Sequence, residues 1–334
     1  MSDDDAIETA FHQVTESQGG THIADGGWWW LEGFGDLGKE YAAIRDDVAV
    51  WDVSPLNKWD FRGPAALQAA QRVFSNDALG LEVGQARYGA FLDADGLMVD
   101  DGTVFNTGGG HCWVMTNGKD HDAYFGESLK GFDVEFEWIA PRMPHLGVIG
   151  PRSREVVQKL TDADVGALRY FRFLTDPVKV AGVEVFLSRT GFGGELGYEL
   201  FLTDPADAEE IWNAIVGAGV TPFGAEAIEP ARIEAGLIVT DYDYEAHAEG
   251  RGCDRADASD DLGDGRAGRR DDDDRLRSTS GAGPCSCRRS AGRRRSHRPS
   301  RRPRPPAPYC RASTRRSGSR RSRSCRTAGC RSGS

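Results

Sequence analysis

Lysine, cysteine and long apolar runs are scarce in this 334-residue chain, and each scarcity excludes something. Residues 1–250 hold only six Lys; with their 17 basic and 43 acidic side chains they carry a net charge of −26. A surface of that sign repels nucleic acid and anionic membrane, and it repels itself unless salt screens it. A high-salt (halophilic) cytoplasm is the expected setting. Cys112 is the only cysteine before residue 250, which excludes a disulfide framework there and suits a reducing compartment. The six later cysteines (Cys253, Cys285, Cys287, Cys310, Cys325, Cys330) form no CxxC pair and share their stretch with one histidine, His297. No metal site is therefore expected. No run reaches 18 apolar residues, and the N-terminus MSDDDAIETAF has no apolar h-region, so neither a membrane-spanning nor a secreted product is expected.

Aromatic residues stop where the charge changes sign. All 15 Phe and all 8 Trp precede residue 250, and Leu262, Leu276 and Tyr309 are the only large apolar side chains beyond it. That segment carries 24 Arg, 9 Asp and no Lys, a net of +15 that brings the whole chain to −11. Ordering a residue costs roughly 1–2 kcal/mol of backbone entropy. With nothing to bury in return, residues 248–334 are expected to form a disordered Arg/Ser/Pro/Gly-rich tail. Its dominant residue types are those GC-rich codons yield out of frame, so a frameshifted reading from about Glu249 is expected. The rival is a genuine basic tail whose Arg320–Ser324 run contacts RNA.

The first 245 residues read as α+β, in layers rather than as a doubly wound parallel sheet. Residues 1–40 look Gly-rich and irregular. Trp28, Trp29 and Trp30 cannot all face one core; either one covers a neighbouring domain or partner, or all three are plain packing. Helical spacing extends from Lys39 to Val50, through Tyr41, Ile44 and Val48. Strands are expected at Trp59–Phe61, Arg87–Leu92, Leu97–Phe105, His111–Thr116, Val134–Trp138, His145–Gly150, Val183–Ser188 and Tyr198–Leu202. Between them, helices are expected after Gly63-Pro64, near His121–Leu129, from a Ser153 cap to Leu160, over Ala206–Ala218 after Asp204-Pro205, and over Ala225–Ala235.

Two segments carry chemistry. The loop Arg189–Glu199 is glycine-dense but does not match GxGxxG, so it is a poor phosphate cradle and a good place for backbone to approach a ligand. Glu199, in the strand that follows, can pair bidentately with an N–H/NH₂ edge such as a pterin presents. The hairpin ending Val99-Asp100-Asp101-Gly102 sets two carboxylates side by side. Alternation along a strand allows at most one of them to face a core or cleft.

These segments occur in one order with Ile44–Asp47, Trp51-Asp52-Val53-Ser54, Arg62-Gly63, Ala86-Arg87-Tyr88, Gly150-Pro151 and Ala231–Leu237. The set resembles the aminomethyltransferase family, meaning the glycine-cleavage T-protein and its folate-dependent demethylase relatives, from about Tyr41 to Glu245. The resemblance implies a tetrahydrofolate-binding fold, here two domains of a three-domain cloverleaf: 1–52 with 142–247, and 53–141. It makes Asp101 the catalytic carboxylate, with Asp100 the alternate. Tyr88, Met115, Asn117 and Phe192 fall at pocket-lining positions, Glu199 at the pterin-binding glutamate and Arg232 at a basic residue near the cofactor. The implied partner is a small one-carbon donor or a lipoyl carrier protein. Ser54-Pro55-Leu56, Phe192, Gly193 and Ile228 depart from the glycine-cleavage pattern and point to a divergent paralogue. The alternative is a non-catalytic folate-binding or regulatory relative with a basic, RNA-attracting tail.

Overall fold

A computed structural model describes residues 6–118 and 121–246. The expectations placed on residues 248–334 (disorder, frameshift, RNA contact) lie outside the described residues.

The expectation of irregular structure before residue 40 is wrong. A helix α1 (His12–Ser17) leads into a hairpin of β1 (Thr21–Asp25) and β2 (Trp28–Gly33). Its turn is Gly26-Gly27, both at positive φ, the left-handed backbone that two-residue hairpin turns require. Glycine density here marks a tight turn, not a loop. The three tryptophans go three ways: Trp28 against Trp138, Trp29 against His12, and Trp30 stacked on Trp51.

Two antiparallel sheets follow. Strands β3 (Ala49–Asp52), β9 (His145–Ile149), β10 (Val178–Val180), β11 (Val183–Ser188), β12 (Gly197–Leu202) and β13 (Thr221–Pro222) form one, in the order β10-β11-β12-β9-β3-β13. Strands β4 (Asn57–Arg62), β5 (Gln85–Leu92), β6 (Met98–Gly108), β7 (His111–Thr116) and β8 (Glu135–Trp138) form the other, in the order β5-β6-β7-β4-β8. Only the short β13–β3 pairing is parallel. The sheets share a construction. β4 ends in Gly63-Pro64 and helix α3 (Ala66–Val73); β9 ends in Gly150-Pro151 and helix α5 (Ser153–Leu160). A Cβ on Gly63 would stand 2.5 Å from the Asp133 carbonyl, and one on Gly150 would stand 2.5 Å from the Asp47 carbonyl. Both glycines also have positive φ, so no other residue fits either corner.

The six-stranded sheet packs against α1, α5 and α6 (Ala208–Gly217), burying Ile211, Trp212 and Ile215 as the spacing requires. The five-stranded sheet packs against α3 and α4 (Asp122–Ser128). Helices α2 (Leu37–Asp46) and α7 (Ala225–Ala235) cover the β3 end of the first sheet. Between the sheets lies a further apolar layer that includes Phe105, Trp113, Met115, Phe173 and Phe201.

Three boundaries differ from expectation. Helix α2 ends at Asp46 because Val48 turns the chain into the fully buried strand Ala-Val-Trp-Asp. Ser153 does not cap α5; it lies inside the helix, buried, and its hydroxyl donates to the Leu196 carbonyl at 3.0 Å. The expected helix from Ala206 opens with a 3-10 turn at Pro205–Asp207 before α6 begins. No helix among the described residues is long and apolar enough to cross a membrane.

Candidate active site

The β5–β6 hairpin sets Asp101 opposite Ala90 and Asp100 opposite Phe91. Both aspartates are buried, at 4% and 2% exposure, which corrects the expectation that alternation lets only one face inward. Each side of the strand is roofed by different chain. Over Asp101 stand Tyr88, whose hydroxyl donates to Oδ2 at 2.8 Å, and Tyr244, whose hydroxyl donates to Oδ1. Over Asp100 folds the segment after β7: the Gly118 amide donates to Oδ2 at 2.9 Å, and His121 Nε2 lies 2.7 Å from the same oxygen. Asn117 joins the two, its amide donating to Asp100 Oδ1 at 2.9 Å and Asp101 Oδ1 at 3.1 Å. Gly102 lets β6 and β7 come this close, since a Cβ there would lie 2.0 Å from the Met115 carbonyl.

Burial pushes the Asp101 carboxyl up, and the Tyr244, Tyr88 and Asn117 donors oppose that rise. Burial, reinforced by the adjoining carboxylate, pushes both tyrosines above their usual range. They therefore stay protonated and remain donors.

Glu199 belongs to a second buried group. Thr190 donates to its Oε2, and Ser188 bonds Thr190 at 2.7 Å. Among the described residues no donor reaches Oε1 within hydrogen-bond distance; His145 Nε2 stands 3.8 Å away. Lys58, wholly buried on β4, and Asp52, buried at the end of β3, complete the group. Burial raises the Glu199 and Asp52 carboxyls and lowers the Lys58 ammonium to about 7.

The other expected site residues scatter. Met115, 1% exposed, is part of the layer between the sheets. Phe192 packs on the α2–α7 core. Arg232, 2% exposed, bonds Glu229, the Leu237 carbonyl at 3.2 Å, and Asp243. It thereby pins the segment that delivers Tyr244 to Asp101. Tyr244, His121, Lys58 and His145 were not found from sequence. The one available signal was Lys58 itself, a lysine directly before the Trp59–Phe61 strand in a region with few lysines.

Two recesses, of about 470 Å³ beside Arg172 and Phe173 and about 760 Å³ beside Arg154 and Arg189, have neither Asp101 nor Glu199 in their walls. The carboxylates in their walls are Asp176 and Glu155, respectively.

The profile of the GCVT N-terminal domain family matches residues 11–250. The chain belongs to that family. The aminomethyltransferases of Listeria welshimeri and Bacillus subtilis are 30% and 33% identical to it over 236 residues, covering 70% and 69% of this chain. That of Deinococcus deserti is 30% identical over 239 residues and 71% of this chain. The matches cover 64%, 64% and 66% of those proteins, so the chain spans a little under two thirds of the curated relatives' length. In three dimensions the chain resembles the crystal structure of glycine cleavage system aminomethyltransferase T from Bartonella henselae. The TM-score is 0.62 at 21% identity, over 70% of this chain and 63% of that one. The α+β fold is thus the aminomethyltransferase fold.

Proposed function

We propose that this chain is a tetrahydrofolate-dependent one-carbon transferase, moving an aminomethyl or methyl group, and a divergent paralogue within its family. The observation that carries the reading is the Asp101 carboxylate, buried and held by Tyr88, Asn117 and Tyr244 from three separate parts of the chain. A carboxylate fixed in this way has no reorganisation left to undergo when positive charge develops beside it.

The residues present suit the cofactor. Glu199 Oε1 is an acceptor without a donor among the described residues, in a side chain that keeps 12% of its surface exposed. That is the acceptor an N–H/NH₂ edge requires. Bound tetrahydrofolate would supply the nucleophilic nitrogen that takes up the one-carbon unit. Asp101 stabilises the positive charge on the carbon in transit, and its carboxylate takes or returns the proton at that nitrogen. Asp100, saturated by its own donors, orients Asn117. Tyr88 touches the reacting region through Asp101, Met115 and Phe192 support the site from the cores in which they pack, and Arg232 acts through the segment that carries Tyr244.

The divergent assignment rests on Ile228. It lies 3% exposed among Phe223, Ala227 and Ala231, where the glycine-cleavage pattern has an arginine. The donor is then a small N- or S-methyl compound, an aryl ether or an aminomethyl group on a lipoyl carrier protein. The lobes are 1–52 with 142–247 and 53–141, in line with the two sheets.

Calorimetric titration of the full chain with tetrahydrofolate tests the reading, and absence of binding sinks it. Asp101→Asn should retain binding and lower one-carbon transfer by about 10²-fold or more. Wild-type binding without transfer to or from any donor class would leave the non-catalytic folate-binding relative standing instead.

A further inference from the structure

Lys58 is an anomaly in this molecule. The other described lysines are exposed, as lysines are expected to be. Lys58 is 0% exposed, and burying an ammonium costs several kcal/mol unless charge and hydrogen bonds compensate it. Its Nζ donates to the Ser54 carbonyl at 3.0 Å and the Leu56 carbonyl at 2.7 Å. Those bonds pin the crossover by which the chain leaves β3 and enters β4. Pinning alone, however, needs donors and not a charge.

The charge has a different counterpart. Along β4, Lys58 is the cross-strand partner of Met115, which faces the layer between the sheets. Along β12, Glu199 alternates onto the same face as Phe201, which lines that layer from the other side. Both side chains thus face the layer between the sheets, without forming an ion pair. The charged and titratable groups around Lys58 are Glu199 on β12, Asp52 on β3 and His145 on β9. His145 is fully buried and stacked on Phe201 at 4.5 Å; neither of its ring nitrogens has a partner, and burial holds it neutral. Lys58 is then the one cation among the described residues of this group, under the electrostatic influence of the Asp52 and Glu199 carboxylates.

We propose that Lys58 is a positioning residue for Glu199: its ammonium keeps that carboxylate ionised inside the seam, so that Oε1 remains an acceptor for a ligand's N–H/NH₂ edge. The ligand part rests on the folate reading above; the charge coupling does not.

The test needs no ligand. Carboxyl ¹³C resonances of the full-length protein are followed through a pH titration, with Glu199 assigned by its loss in Glu199→Gln. In Lys58→Met the Glu199 midpoint should rise, corresponding to about tenfold tighter proton binding, while the Asp101 midpoint stays in place. Lys58→Gln, which keeps donors for the two carbonyls, should behave alike. A folded Lys58 variant with an unmoved Glu199 midpoint overturns the proposal and leaves Lys58 a structural pin. Because coupling is reciprocal, the Lys58 side-chain midpoint in Glu199→Gln should fall by a comparable factor. This arm decides the matter if neither Lys58 variant folds, and no fall there overturns the proposal. Failure of tetrahydrofolate to bind wild type would remove the folate reading while the measured coupling stands.

Discussion

At the scale of single residues, the Asp101 carboxylate is a balance between burial and three donors. Tyr88 works on Oδ2 and Tyr244 on Oδ1. Removing the Tyr244 hydroxyl deletes one hydrogen bond to a charged group, worth about 1.5–3 kcal/mol. The Asp101 carboxyl already lies above the usual carboxylate range, and losing a donor to its ionised form raises it further. If transfer needs the ionised form, activity is lost as pH falls through the folded-state value. Tyr244→Phe should therefore move the acid limb of the kcat/KM profile to higher pH, by about one pH unit or more. An unmoved acid limb would take Tyr244 out of the site. Asp100, Asp101, Tyr88 and Asn117 were legible in sequence because they occupy one hairpin and the strand beside it, where local spacing carries the resemblance. Tyr244 was not, because 143 residues separate it from Asp101, and only the closed fold brings them together.

At the scale of elements, the segment after α7 illustrates what local pattern can and cannot specify. Helix α7 was placed correctly from its spacing and closes on Gly236, left-handed at φ 72°. The segment beyond it has no strand or helix pattern; its shape comes from a buried guanidinium. Arg232 holds the Leu237 carbonyl and Asp243, and Asp243 in turn accepts from the Val239 amide at 2.8 Å. Arg232→Met removes these anchors, leaving Glu229 and Asp243 to water at 36% and 37% exposure. Hydrogen exchange should then quicken at Leu237 and Val239, while amides of β6 and β7 exchange as before. Uniform quickening would mean that Arg232 supports the whole core instead. The hairpin β1–β2 failed to read for the opposite reason. Its turn glycines were visible, but the tryptophans beside them hid the period-two alternation by burying on three different partners.

At the scale of the whole molecule, buried ionisable groups act on the pH dependence of stability with opposite signs. Asp52, Asp101 and Glu199 have folded-state values raised by burial. Each binds its proton more tightly folded than unfolded, so each contributes stability at low pH that is lost as pH rises through its folded value. Lys58 is lowered, from 10.5 to about 7. From about pH 7 to 10.5 the unfolded chain holds a proton that the folded chain has released, so stability rises with pH across that window. The slope approaches about 1.4 kcal/mol per pH unit where Lys58 alone titrates. Net charge changes little there, since the body's many carboxylates are already ionised. Cys112, Tyr88, Tyr124 and Tyr244, raised from ordinary values of 9.0 and 10.0, act in the opposite sense only above about pH 9. Thermal unfolding of the full chain should therefore show stability climbing from about pH 7 to about pH 9, and Lys58→Met should lose the climb. A wild-type profile flat from about pH 7 to about pH 9 would mean that Asp52 and Glu199 hold the Lys58 proton far more firmly than burial expels it.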